Sequence, residues 1–172
     1  AVPKLIGPEP YKKRTSHGMV LGEGGIKMSK SRGNVITPEQ VIKQYGADTL
    51  RIYEMFMGPF GETIAWDTRG VKGTKRFLDK VWKLADQFFS VNQHRNQLTI
   101  GGLKKLLQQT IKKVSQDIEG LKFNTAISSL MEFSNNWQKE KGGLGKEDFK
   151  DFLKIFSPFA PHIAEELWWK LK

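Results

Sequence analysis

Five consecutive residues, 27–31, combine two cations with two hydroxyls and form what we call the lysine–serine loop. They are Lys27, Met28, Ser29, Lys30 and Ser31, with Gly24–Gly25 shortly before them. Ammonium groups and hydroxyls on a glycine-hinged loop suit the neutralisation of negative charge that builds on a polyphosphate during phosphoryl or nucleotidyl transfer. A solvated basic loop has the same composition, so the residue types alone leave both interpretations open.

The string Lys-Met-Ser-Lys-Ser resembles the second signature of class I aminoacyl-tRNA synthetases, and the resemblance continues on both sides of it. Residues 9–13 and 18–25 are similar to the approach to this loop in leucyl-tRNA synthetases, and residues 45–51 fit the segment that follows it. Residues 55–60 with Trp66 favour the leucyl branch. The isoleucyl, valyl and methionyl enzymes remain the alternative, because the amino-acid pocket is not in this chain.

The resemblance implies a role for each side chain of the lysine–serine loop. In the family this loop closes over ATP, which implies that Lys27 and Lys30 are catalytic and bind the phosphates, with Lys30 as the stronger candidate. Ser29 and Ser31 are implied to bind ATP as well, or to cap the loop. Met28 is expected to anchor the loop by packing. ATP is therefore the implied substrate, with Mg²⁺ in the full enzyme and no metal site in this chain.

Much of a synthetase is missing from this sequence. There is no His-x-Gly-His element, since His17, His94 and His162 stand apart, and no nucleotide-binding half precedes the loop. We therefore expect a C-terminal piece of a leucyl enzyme that is inactive alone, its remainder lying in the same chain or in a second subunit. The resemblance implies that the whole enzyme activates leucine with ATP and charges tRNA(Leu). Its expected location is the cytoplasm, with an organelle as the alternative.

Charge points independently to a polyanionic partner. The chain has 28 Lys and Arg against 18 Asp and Glu, a net charge of +10 over 172 residues. Such an excess favours nucleic acid, although a merely soluble basic protein has the same balance. A stand-alone basic RNA-binding helical module is therefore the alternative function. The absence of cysteine excludes a disulfide framework, and no apolar run approaches the roughly 18 residues that span a bilayer, so no membrane partner is expected.

The elements that hold the loop are predicted from local patterns. Met19–Leu21 and Gly22–Gly25 predict a short strand and a turn, with the return strand beginning at Ile26, so that a small β-hairpin carries the loop. Two short helices follow, the first beginning after Thr37 and the second capped by Asp48, which we interpret as a cap rather than a catalytic acid. By resemblance they are stem-contact-like helices. A further short strand is predicted at 63–66.

Amphipathic helices fill the rest of the chain. Apolar residues spaced three and four apart predict an antiparallel α-helical bundle, so the expected fold class is mainly α. We expect residues 1–66 to be a catalytic-domain remnant and residues 67–172 to be an anticodon-binding-type bundle. Trp82 and Trp137 are predicted to pack in its core. His162, near the start of the last helix, is predicted to make structural hydrogen bonds.

Six basic residues are candidate tRNA contacts. They are Arg32, Arg51, Lys72, Lys75, Arg76 and Lys83. The last four share the polar face of the first long helix, for which solvation is an equally good explanation. Leucyl enzymes are understood not to read anticodon bases. The resemblance therefore implies that the bundle recognises the shape of the tRNA and contacts its phosphates, without reading its bases.

Overall fold

Helices dominate the computed structural model of this chain, which describes residues 11, 13–92, 99, 101–140 and 143–171. Within these ranges seven α-helices and two short strands are found, and the predicted mainly-α fold is confirmed. The strands are β1 (Val20–Leu21) and β2 (Ile64–Ala65), and the helices are α1 (Pro38–Tyr45), α2 (Ala47–Phe56), α3 (Thr68–Asn92), α4 (Gly101–Glu119), α5 (Phe123–Lys139), α6 (Lys146–Phe156) and α7 (Pro161–Lys170). None of these helices is long and apolar enough to cross a membrane.

The two strands pair in parallel, not as a hairpin. Val20 lies opposite Ile64, so the strand predicted at 63–66 is confirmed and becomes the partner of β1. The amide of Ile64 donates to the carbonyl of Met19 (3.0 Å), and the amide of Trp66 donates to the carbonyl of Leu21 (2.9 Å). Residues 22–63, all within the described ranges, contain no strand, so no return strand follows β1 directly in the chain.

The predicted return strand at Ile26 is accordingly wrong. Its carbonyl accepts one hydrogen bond from the amide of Gly22 (2.8 Å), which closes the predicted turn. Inside this turn Gly24 and Gly25 have φ angles of 76° and 77°, a region that glycine enters without steric cost. The chain then leaves the sheet and enters the lysine–serine loop.

The first of the two short helices predicted after the loop begins as predicted, and the second does not. The Thr37 hydroxyl accepts from the amide of Gln40 while the Gln40 side chain accepts from the amide of Thr37, a reciprocal capping box ahead of Pro38. Gly46 is the N-cap residue of α2, with no side-chain hydrogen bond to it. The predicted cap by Asp48 is therefore wrong, because Asp48 lies inside α2 and its carboxylate bonds elsewhere.

Helices α3 to α7 pack around one large apolar core. Only Gly120–Lys122 connects α4 to α5, so these two neighbouring helices run in opposite directions. Trp137 is buried as predicted. Trp82 packs against the same core while remaining partly exposed, and the Lys170 ammonium lies 4.5 Å from its ring centroid. The largest fully buried side chains include Phe133, Phe149, Phe152, Phe156 and Phe159.

A second, smaller core lies beside the strands. It contains the buried side chains of Val41, Leu50, Tyr53, Trp66 and Val71. Helix α2 contributes to both cores, since Ile52 belongs to the large one and Leu50 and Tyr53 to the small one. Tyr53 and Trp66 meet edge to face, with ring centroids 4.7 Å apart. This helix therefore connects the environment of the lysine–serine loop to the bundle.

Candidate functional site

The lysine–serine loop is folded even though much of it is exposed. A single 3₁₀ turn, Lys30–Arg32, forms its second half, and Gly33 ends that turn with a φ of 66°. The amide of Gly33 donates to the carbonyl of Lys30 (3.1 Å). A β-carbon at this φ would be strained, so glycine is the residue that lets the chain leave the loop here.

The side chain of Asn34 bonds to the backbone at the start and at the middle of the loop. Its Oδ1 atom accepts from the amide of Ser29 (2.9 Å), and its Nδ2 atom donates to the carbonyl of Lys27 (3.3 Å). Asn34 is a site residue that the sequence patterns did not predict. An asparagine directly after a loop glycine is the available signal, because this short amide commonly satisfies backbone groups of a turn.

Met28 anchors the loop as predicted, because its half-buried side chain packs against the small core. With Met28 directed inward, Lys27 and Lys30 are exposed on either side of it. Among the described residues, no carboxylate forms an ion pair with either lysine. Their ammonium groups therefore need not leave an intramolecular partner to meet an anionic ligand.

The two serines of the loop contact each other. The hydroxyl oxygens of Ser29 and Ser31 are 3.2 Å apart, and either can be the donor. A phosphate oxygen at this position would replace one weak, exposed hydrogen bond. The ATP-binding roles of Lys27, Ser29, Lys30 and Ser31 remain predictions.

A hydrogen-bond relay joins the turn before the loop to the start of α3. The Thr68 hydroxyl donates to the carboxylate of Glu23 (2.6 Å) and accepts from the indole of Trp66 (3.3 Å). Nearby, the Tyr53 hydroxyl accepts from the amide of Asp67 (2.7 Å). Burial raises the pKa of Tyr53, with the Asp67 amide as a smaller opposing influence. The Tyr53 hydroxyl therefore stays protonated at neutral pH and fixes the entry to α3.

The six candidate tRNA residues differ in their surroundings. On α3, Lys72, Arg76 and Lys83 are exposed, and none of the three forms an ion pair within the part of the chain that the structure describes. Lys75 pairs with Asp79 one turn away. At about 1.5 Å per residue, the three unpaired cations extend over about 16 Å of one helix face.

The other two candidates lie outside α3. Arg32 is exposed at the end of the 3₁₀ turn of the loop. Arg51 donates from Nη2 to the carbonyl of Pro158 (2.9 Å) and so has an intramolecular partner, although its side chain is exposed. In the described ranges no three His, Cys, Asp or Glu side chains come together as a potential metal site.

Comparisons with known proteins find family matches in two separate parts of the chain. Residues 2–67 match the family described as tRNA synthetases class I (I, L, M and V), and residues 103–172 match the anticodon-binding domain of tRNA ligase. A leucine–tRNA ligase of Alkaliphilus oremlandii (strain OhILAs) is 51% identical over 160 residues, which cover 93% of this chain but 19% of that protein. The chain thus spans about a fifth of the length of this relative.

A solved structure agrees with the sequence comparison. The ternary complex of Agrobacterium radiobacter K84 agnB2 LeuRS with tRNA and LeuAMS contains a chain similar to this one, with a TM-score of 0.79 and 29% identity. The similarity covers 97% of this chain and 24% of that chain. The whole described fold, sheet and bundle together, is therefore one found in a leucyl enzyme.

Proposed function

Because the chain belongs to the class I tRNA synthetases, we propose that it supplies the ATP-phosphate loop and the tRNA-binding bundle of a leucine–tRNA ligase. In the whole protein the leucine carboxylate attacks the α-phosphorus of ATP and pyrophosphate leaves. A hydroxyl of tRNA(Leu) then attacks the leucyl carbonyl of the adenylate, and AMP leaves. The proposal divides the chain near residue 66 into a catalytic edge and a bundle. It places the enzyme in the cytoplasm.

The observation that carries this proposal is the presentation of Lys27 and Lys30. Both lysines are exposed on a loop whose backbone is bonded by Asn34 at residues 27 and 29 and whose Met28 packs against the small core. Lysine is a flexible point charge that suits the oxygens of a departing pyrophosphate. Mg²⁺ is expected to arrive on the ATP phosphates, since such sites use substrate oxygens with few protein ligands.

The test is amino-acid-dependent ATP–pyrophosphate exchange by the full-length protein that contains this chain. We expect leucine to support exchange and isoleucine, valine and methionine to support it roughly 10- to 200-fold less well, because this is the range by which one misplaced methyl group changes binding. Preference for one of the other three amino acids would reassign the enzyme within its class. No exchange with any of them would favour a basic RNA-binding module.

The basic face of α3 leads to a prediction about tRNA binding by the 172-residue chain. If Lys72, Arg76 and Lys83 each neutralise one phosphate, replacing all three by alanine should reduce the slope of log K against log salt by about 0.9 per lost contact. Affinity should fall by a similar factor for leucine tRNA and two unrelated tRNAs, because phosphate contacts carry no sequence information. The measurement is a binding titration across a salt series.

The matched control removes the same charge from other helices. Lys105, Lys112 and Lys139 are exposed, on α4 and α5, and their triple alanine variant should retain a steeper salt dependence than the α3 variant. Equal slopes for the two variants would mean that the α3 cations contribute to tRNA binding only through the net charge of the chain and do not contact particular phosphates.

A further inference from the structure

The buried carboxylate of Asp48 caps a helix that begins 113 residues later in the chain. It is 5% exposed. Its oxygens accept from the amide of Ile163 (2.8 Å), the amide of His162 (3.4 Å) and the ring Nδ1 of His162 (2.7 Å). The N-cap residue of α7, Ala160, has no side chain that could do this. Asp48 therefore satisfies amides that α7 cannot satisfy locally.

A second contact reinforces this junction. One turn after Asp48, Arg51 donates to the carbonyl of Pro158 (2.9 Å), at the corner between α6 and α7. The N-terminal half of α2 therefore contacts both the corner that follows α6 and the start of α7. Because the buried carboxylate makes charge-assisted bonds to fixed backbone groups, the position of this corner is defined more closely than by apolar packing alone.

The opposite side of α2 faces the environment of the lysine–serine loop. Leu50 and Tyr53 belong to the small core against which Met28 packs. These contacts do not involve Asp48. Loss of its carboxylate should therefore release the α6–α7 corner while leaving Met28 and the loop in place.

We propose that Asp48 is a positioning residue that fixes the bundle relative to the lysine–serine loop, so that tRNA bound by the bundle is aligned with the aminoacyl adenylate. This inference rests on the proposed function. Asp48 touches no substrate in this role and acts through α7. Its replacement should impair the transfer of leucine to tRNA more than either leucine activation or tRNA affinity.

The experiment uses the full-length protein and its Asp48→Ala variant. Three quantities are measured: leucine-dependent pyrophosphate exchange, the Kd for leucine tRNA, and the single-turnover rate of transfer from preformed adenylate. We expect transfer to slow by about tenfold, within the roughly 5- to 150-fold range of coupling between sites, with exchange and Kd within about twofold of wild type. A proportional fall in all three, or an unchanged transfer rate, would overturn the proposal.

Asp117→Ala is the matched control. Asp117 is also a buried carboxylate, 4% exposed, but its partners Thr125 and Lys113 lie within the α4–α5 pair. Its loss should leave transfer close to wild type, and a transfer defect equal to that of Asp48→Ala would contradict a specific role for the junction.

If Asp48→Ala does not fold, the His162→Ala variant tests the proposal instead. This substitution removes the side-chain bond to Asp48 and leaves the two backbone amide bonds in place. We expect a smaller transfer defect in the same direction, and transfer at the wild-type rate would overturn the proposal. Absence of leucine-dependent exchange by the wild-type protein is a separate result, which would contradict the proposed function itself.

Discussion

Replacing Lys30 by alanine in the full-length protein is expected to lower the rate of leucyl-adenylate formation by about 100-fold. Removing a single donor that stabilises transition-state charge typically costs about 10²–10³ in rate, or about 2.7–4 kcal/mol. We expect the lower end, because the Lys30 side chain is exposed and solvent screens its charge. The loss should fall mainly on kcat, because the pyrophosphate charge grows as the bond to the α-phosphorus breaks.

The measurement is leucine-dependent ATP–pyrophosphate exchange with saturating leucine and varied ATP. Lys43→Ala is the matched control: Lys43 is an exposed lysine of α1, outside the lysine–serine loop, and its loss should change exchange by less than about twofold. Exchange by Lys30→Ala at the rate of the control would remove Lys30 from the ATP site. A rise in the KM for ATP with unchanged kcat would instead show that Lys30 binds the ground state and the transition state equally.

Local signals predicted the helices well. Four residues, Thr37 to Gln40, determine where α1 begins, and the structure shows the corresponding reciprocal cap. The first long helix of the predicted bundle, expected to carry Lys72 to Lys83, is observed at Thr68–Asn92. In both cases hydrogen bonds and apolar spacing within a few residues determine the element, so a single sequence is enough to find it.

Long-range pairing could not be predicted in the same way. β1 pairs with a strand 44 residues later, and a two-residue strand has too little pattern to reveal its partner. Asp48 had the type and position of a local helix cap, yet its carboxylate caps α7. An aspartate can accept hydrogen bonds from the amides of its own helix or from those of a helix distant in sequence. Only the packing of the whole chain determines which of the two amide groups it meets.

The candidate site shows the same division. Anchoring by Met28 followed from the motif, and the small core confirms it. Asn34 was missed because its contribution is a pair of side-chain bonds to Lys27 and Ser29, which composition does not reveal. The structural role predicted for His162 is confirmed by its bond to Asp48, although the partner was not foreseen.

Replacing Phe152 by alanine is expected to destabilise the 172-residue chain by about 3–5 kcal/mol. The side chain is 0% exposed in the large core. Its ring stacks on Phe133 and Phe156, with centroids 5.5 and 5.4 Å away, and meets the indole of Trp137 at 5.6 Å. Truncation removes these contacts together with the buried apolar surface. The surrounding rings belong to α5 and α6, whose backbones can close only part of the cavity.

Thermal unfolding followed by circular dichroism checks this expectation. At about 2–4 °C per kcal/mol for a chain of this size, Tm should fall by roughly 6–20 °C. Trp169→Ala provides the control, because that side chain is 66% exposed and its removal should change the free energy of unfolding by no more than about 0.5 kcal/mol. Equal losses for the two variants would mean that Phe152 is not in a tightly packed core. A large loss for Phe152→Ala alone would establish that the aromatic contacts between α5 and α6 make a large contribution to the stability of the chain.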